Sequence, residues 1–299
     1  MYINNKILIK IFFYLILILI FYYIIKLVIR IYKFNYQNYI NSKTTILITG
    51  GCNGIGYNLI KHLFRLFNCR IINIDKDKTK FKQLKEEFKN YNLINIYLDL
   101  SENDINFNLI LKKINIDINE IDIIINNAGI TYNKEFKNLS TNDIINTIKT
   151  NLIFAITLYK LFIYNKKIHF VTIASVMSHI ISQKSSAYIA SKWGLYAFHE
   201  CIRAEYLYNK NINFTLICPF AVNTNMFKGF RNPFIGIFNI LDANKLAYNI
   251  VYNIVLKDTV VYYPNYSQII INIYYAIIPN FIIDIIQKYL FGYATKNLS

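Results

Sequence analysis

From Thr44 to Pro264 the chain alternates between two hydrophobic patterns. Short continuous apolar runs occur at "TTILITG" (44–50), "RIINID" (70–75), "INIYLDL" (94–100), "IDIIIN" (121–126), "IHFVTIAS" (168–175), "INFTLICP" (212–219) and "TVVYYP" (259–264). Between them, apolar residues recur every three or four positions over 54–67, 77–90, 101–115, 140–164, 186–209 and 242–257. A continuous apolar run suits a strand buried on both faces, and the 3.6-residue period suits a helix lying over it. The alternation therefore predicts an α/β domain spanning 44–262, with a parallel sheet covered on both sides by helices.

The ends follow other patterns. Residues 7–29 hold an uncharged apolar stretch from Ile11 to Ile25, flanked by Lys10 and Lys26. Fifteen helical residues cover only ~22 Å, and snorkelling lysines extend the usable span toward a hydrocarbon core of ~30 Å. No small-residue cleavage site follows, so the segment reads as a retained anchor, either transmembrane or in the plane of the membrane. Basic residues after it (Lys26, Arg30, Lys33) slightly outnumber those before it (Lys6, Lys10), which places the main domain on the cytosolic side. Residues 30–43 read as a polar linker. The extension 263–299 is strongly apolar but interrupted by Asn272, Pro279 and Asp284, so its runs are too short to span a bilayer.

Composition narrows the function classes. The chain has 299 residues, 55% of them hydrophobic, enough for a large core. The net charge of +16 comes from scattered lysines without an arginine-rich or aromatic-interleaved stripe. That argues against nucleic-acid binding and for attraction to an anionic membrane surface. Cys52, Cys69, Cys201 and Cys218 lack disulfide or metal-ligand spacing and read as reduced thiols of a cytosol-facing domain, with no metal site.

The candidate chemistry begins where the first run meets "TGGCNGIG". Gly50, Gly54 and Gly56 offer a tight turn, close backbone approach and close helix packing. Asn53, Ile55 and the free N–H groups of the following helix would face a pyrophosphate. Asp75 lies 19 residues beyond Gly56 at the end of the next strand, placed to accept from adenosine ribose hydroxyls. Asp75 would also repel a 2′-phosphate, so the expected cofactor is NAD, with NADP left open by the adjacent Lys76. Further along, Tyr188 and Lys192 stand one helical turn apart on the same face.

Glycines at this spacing, "NNAG" at Asn126 to Gly129, Ser175 after the fifth strand and Tyr188-x-x-x-Lys192 in the next helix together resemble the short-chain dehydrogenase/reductase family over about 44–262. The anchor, "CPFAVNTNMFKG" and the apolar tail resemble its membrane-associated branch of retinol and 17β-hydroxysteroid dehydrogenases. The resemblance implies a single doubly wound Rossmann domain. It implies Tyr188 as catalytic acid/base, its phenol lowered by Lys192 and by the nicotinamide charge. Lys192 would also hold the nicotinamide ribose, and Ser175 would bind the substrate oxygen. Asn151 would hold a water linking Lys192 to solvent. Asp99 and Leu100 would contact adenine, Asn127, Ala128 and Gly129 the adenosine ribose, and Pro219, Val222 and Thr224 the nicotinamide carboxamide. Phe220 replaces the glycine common after that proline and is a candidate pocket residue; His179 reads as a pocket or surface residue rather than a second base.

The expected function is thus alcohol–carbonyl interconversion on a hydrophobic retinoid, steroid or lipid-like substrate, in a protein anchored at the endoplasmic reticulum or a lipid droplet. Membrane lipids and a homodimer through 140–164 and 186–209 are the expected partners. The rival readings are an NADPH-dependent reductase of a keto-sphingoid type ketone and a catalytically silent scaffold. The segment near 225–240 and the tail are expected to line an apolar, membrane-facing substrate entrance.

Overall fold

A computed structural model describes residues 5–36, 39–103, 105–165, 167–232, 239–291 and 295. The chain forms two compact units, Met1–Tyr39 and Ile40–Ser299. The first is one helix, α1 (Asn5–Tyr36). It runs seven residues into the segment expected as linker, because nothing from Arg30 to Tyr36 breaks a helix. Phe13, Tyr14, Ile18, Phe21 and Tyr22 are exposed along it. Among the described residues, no helix is long and apolar enough to cross a membrane.

In the second unit the apolar runs become β1 (Thr45–Thr49), β2 (Arg70–Asp75), β3 (Leu93–Tyr97), β4 (Ile123–Asn126), β5 (Ile168–Ile173), β6 (Ile212–Pro219) and β7 (Val260–Tyr263). All pair in parallel, in the order β3-β2-β1-β4-β5-β6-β7. The helices between them are α2 (Gly54–Phe67), α3 (Phe81–Glu87), α4 (Phe107–Lys113), α5 (Thr141–Ile148), α6 (Phe154–Phe162), α7 (Ser186–Glu205) and α8 (Ala243–Leu256). The tail adds α9 (Ser267–Ile277) and α10 (Asn280–Ile286). This is the expected doubly wound Rossmann sheet. The chain leaves β1 toward β2 and leaves β4 toward β5, so a crevice opens where the order reverses between β1 and β4.

The single helix expected over 140–164 differs in one respect. A π-turn, Lys149–Ile153, separates α5 from α6 and inserts one extra residue into the helical ladder. Beyond it, Phe154, Leu158, Tyr159 and Phe162 pack beneath the sheet with Leu47, Ile124 and Phe170. Tyr159 stacks on Phe170 at 4.1 Å between ring centroids, a pairing worth ~1 kcal/mol beyond its area.

Two histidines are sealed in this interior. His169 Nε2 lies 2.9 Å from Thr215 Oγ1, and His199 Nδ1 lies 2.5 Å from the Tyr159 hydroxyl, which also meets Thr172 Oγ1 at 2.9 Å. Burial pushes both imidazoles down to about 3 from 6.5. Unfolded chain therefore takes up protons below pH 6.5 that the folded chain refuses until near 3. The folded state keeps its full stability above that window and loses it as pH falls through it, at up to about 1.4 kcal/mol per pH unit for each histidine. The thermal midpoint is expected to be lower at pH 5 than at pH 7, and His199→Gln should flatten the fall. An unchanged midpoint across that range would contradict the burial assignment.

Candidate active site

The turn after β1 needs its glycines for separable reasons. Gly50 and Gly54 have φ of +71° and +55°, a region costly for other residues. A Cβ on Gly56 would lie 2.1 Å from the Gly50 carbonyl oxygen. Gly51, which the spacing argument passes over, is equally constrained, since its Cβ would meet Asn73 Oδ1 at 2.2 Å. The loop then opens into α2, whose Asn53 leaves the N-terminus without a side-chain cap, whereas Ser140 and Asp242 cap α5 and α8. An uncapped N-terminus at a glycine turn suits a bound anion.

One amide joins this loop to β4. Asn127 Nδ2 donates to the carbonyls of Thr49 and Gly50, both at 3.0 Å. The backbone N–H groups of Asn127 and Ala128 return bonds to Thr49 Oγ1 at 3.1 and 3.0 Å. The Asn127 Nδ2 is thus spent on shaping the turn. Asp75 accepts from Cys52 N–H (2.9 Å) and Asp77 N–H (3.0 Å), one on each oxygen. A carboxylate has about four lone-pair sites, so acceptor capacity remains for hydroxyls. Asp99 sits opposite, paired with Lys76 at 3.5 Å. Burial alone would raise its carboxyl, but Ser101 and Lys76 outweigh that and hold it low.

The other wall comes from β5 and α7. Ser175 follows β5, and its Oγ accepts from Met177 N–H at 3.1 Å, so the hydroxyl proton points elsewhere. Tyr188 and Lys192 are both almost fully buried. Lys192 Nζ donates to the Ile173 carbonyl at 2.8 Å and lies 5.9 Å from the Tyr188 ring centroid. Burial pushes this ammonium down to about 8. Burial also pushes the Tyr188 phenol up to about 12, opposed by its hydrogen bond with Ser175. Without a cofactor charge in the cavity, desolvation dominates the phenol, and the Lys192 ammonium is turned to a backbone carbonyl.

Asn151 is held in place by its own hydrogen bonds. It lies buried in the π-turn, where Oδ1 accepts from Ile130 N–H (2.8 Å) and Nδ2 donates to the Ile130 carbonyl (3.0 Å) and Ser191 Oγ (2.9 Å). The amide is engaged with protein partners at both its oxygen and its nitrogen. It ties the strand end that carries Gly129 to the helix that carries Lys192; a Cβ on Gly129 would lie 3.5 Å from Asn151 Oδ1 and 3.7 Å from Lys192 Nζ.

Gly50, Asn53, Gly54, Ile55, Asp75, Asp99, Leu100, Asn127, Ala128, Gly129, Ser175, Tyr188, Lys192, Pro219, Val222 and Thr224 line one cavity of about 450 Å³. Of the expected site residues, Gly56 and Asn151 stand behind its wall. The cavity also gains Thr150, Met226 and Phe227, and Phe220 is present as anticipated. Thr150 Oγ1 is buried without a hydrogen-bond partner, an acceptor and donor waiting in the wall. Together with the bare backbone at Gly54 and the uncapped α2, it fits a dinucleotide. His179 is not in this cavity; its Nε2 lies 2.9 Å from the Tyr262 hydroxyl. Residues 233–238 of the expected entrance lie outside the described residues.

A family profile described as short chain dehydrogenase matches residues 44–233. This chain is a short-chain dehydrogenase. As such it is an NAD(P)-dependent oxidoreductase. Among its relatives, the Saccharomyces cerevisiae oxidoreductase YDL114W is 33% identical and aligns over 67% of each chain. The 17-beta-hydroxysteroid dehydrogenase 13 of Mus musculus is 24% identical over 75% of each. Among solved structures, 4-hydroxyisoleucine dehydrogenase complexed with NADH superposes with a TM-score of 0.61, at 22% identity, covering 71% of this chain and 90% of that one, a likeness of fold. In this short-chain dehydrogenase the glycine turn keeps its shape through the Asn127 amide. Removing two hydrogen bonds of ~1 kcal/mol each should weaken binding about tenfold or more. Asn127→Ala is accordingly expected to raise the NADH dissociation constant by about that factor, measured by nicotinamide fluorescence. Unchanged affinity would show that the turn holds without the clamp.

Proposed function

We propose that the protein interconverts an alcohol and a ketone or aldehyde on an apolar substrate at a membrane, with NAD(H) preferred. The observation that carries this reading is convergence: Ser175, Tyr188 and Lys192 line the same cavity as the glycine turn and Asp75. Phe220, Met226 and Phe227 supply an apolar wall to that cavity. When bound, the nicotinamide supplies or accepts the hydride. Tyr188 gives its hydroxyl proton to the substrate oxygen during reduction and takes it back during oxidation. Ser175, hydrogen-bonded to Tyr188, would turn its hydroxyl to the substrate and steady the developing negative oxygen. Lys192 holds positive charge beneath the phenol and would bond the ribose hydroxyls. Asn151 acts by position, fixing the Ile130 backbone against α7.

Asp75 supports NAD over NADP through its negative charge where a 2′-phosphate would bind. Lys76, the basic residue that could have offset this, is paired with Asp99. The apolar substrate and the membrane draw support from the cavity wall and from the exposed apolar residues of α1. The relative whose name denotes a hydroxysteroid substrate lends further support.

Two measurements test this. Titration should give a smaller dissociation constant for NADH than for NADPH; equal or reversed constants sink the NAD preference. Tyr188→Phe should lower turnover by ~10²–10⁴-fold while NADH binding stays near normal. A Phe variant that keeps most of its activity would remove Tyr188 from the proton path.

A further inference from the structure

Exposed apolar side chains gather at the C-terminal end of the Ile40–Ser299 unit. Ile269 and Ile273 are neighbours one turn apart on α9. Phe281, Ile285 and Tyr289 repeat every four residues along α10 and the turn that follows, with Phe281 65% and Tyr289 63% exposed. Two hydrogen bonds fasten this strap to the loop before α7. Gln287 Nε2 donates to the Ile181 carbonyl at 2.8 Å, and Gln183 Nε2 donates to the Gln287 carbonyl at 3.2 Å. Ile181, itself exposed, is thereby held against the end of α10. On the other side a shallow cavity lined by His179, Trp193, Ile271, Asn272 and Ala276 links half-exposed Trp193 to α9. The stripes, Ile181 and Trp193 are thus neighbours, and an apolar patch gathered in this way marks a contact surface rather than scattered exposure.

Charge and residue type select the occupant. Asp284 is the single acid of residues 259–299, set against Lys288 and Lys296 in a chain of net charge +16. Lys288 Nζ stands 5.3 Å from the Tyr289 ring centroid, at the rim of the stripe. Aliphatic side chains with Trp, Tyr and Lys at their edge, on short helices bent at Pro279, are the composition of an element lying in a headgroup layer.

We infer that α9, α10, Ile181 and Trp193 form a docking face for an anionic lipid bilayer, seating the strap at headgroup depth. This rests on the reading of an apolar substrate at a membrane and adds a second contact, independent of α1. The strap is fastened to the loop that leads into Tyr188, so docking would bring the mouth of the substrate side to the lipid surface.

The chain carries one tryptophan, Trp193, so its emission reports on this face alone. The full-length protein is reconstituted with phosphatidylcholine/phosphatidylserine vesicles, with and without brominated acyl chains. Trp193 emission is expected to shift to the blue and to be quenched by the brominated lipid. The double variant Phe281→Gln, Ile285→Gln should lose the quenching yet still co-float through α1 and bind NADH normally. Protein that co-floats with equal emission in both vesicles overturns the docking face, as does quenching that survives in the double variant. A blue shift that grows with protein concentration in the absence of lipid overturns it in favour of a second copy. NAD-dependent oxidation of a long-chain alcohol is followed in the same samples. Quenching without turnover leaves the face standing and removes the substrate reading; turnover without quenching does the reverse.

Discussion

Two hydrogen bonds from the Asn127 amide to the carbonyls of Thr49 and Gly50 hold the crevice in its shape. The sheet explains why they are needed. Strands β1 and β4 are buried and apolar, and their crossovers leave in opposite directions; beyond β1 the Gly50 N–H still bonds Ile74 of β2, but the carbonyls facing β4 need another donor. Unpaired carbonyls at a buried crevice cost free energy unless a donor is brought to them. Asn127 brings one, and Thr49 Oγ1 meets the N–H groups on the return side. The glycine turn is thereby fixed against β4, and the N–H groups of α2 are left facing the cavity.

A second constraint governs the opposite wall. Tyr188 and Lys192 are placed deep enough that desolvation disfavours the charged form of each, raising the phenol and lowering the ammonium. The Ile173 carbonyl and the Ser175 hydroxyl partly offset this by hydrogen bonding. Both groups therefore favour their uncharged forms more than in water, and a positive charge entering the cavity would favour the phenolate. That responsiveness is what a proton-transfer site requires.

Much of this was legible in the chain. The apolar runs read as buried parallel strands because burial on both faces removes the alternation that would otherwise blur them. The glycine turn, Asp75, Tyr188 and Lys192 were readable because each obeys a local spacing, and Ser175 came with the family resemblance. What escaped depends on partners far along the chain. The π-turn is bound up with Asn151, whose amide bonds reach Ile130 and Ser191, 21 and 40 residues away. Gly51 is needed only because Asn73 sits across from it. Thr150 carries no periodic signal and enters the cavity because the π-turn rotates it there. Spacing shows a lysine one turn from Tyr188 but not the Ile173 carbonyl that the lysine faces.

That one-residue insertion has a bearing on how the helix pair can vary. An α-helix turns about 100° per residue, so Lys149–Ile153 sets α6 out of phase with α5 by that angle. Straightening it into a regular α-turn of the same length would improve the local backbone. It would also swing Phe154, Leu158 and Phe162 out from beneath the sheet and carry the Tyr159 hydroxyl away from His199. The π-turn is thus held by phase: a locally more regular helix of the same length would be the globally worse one.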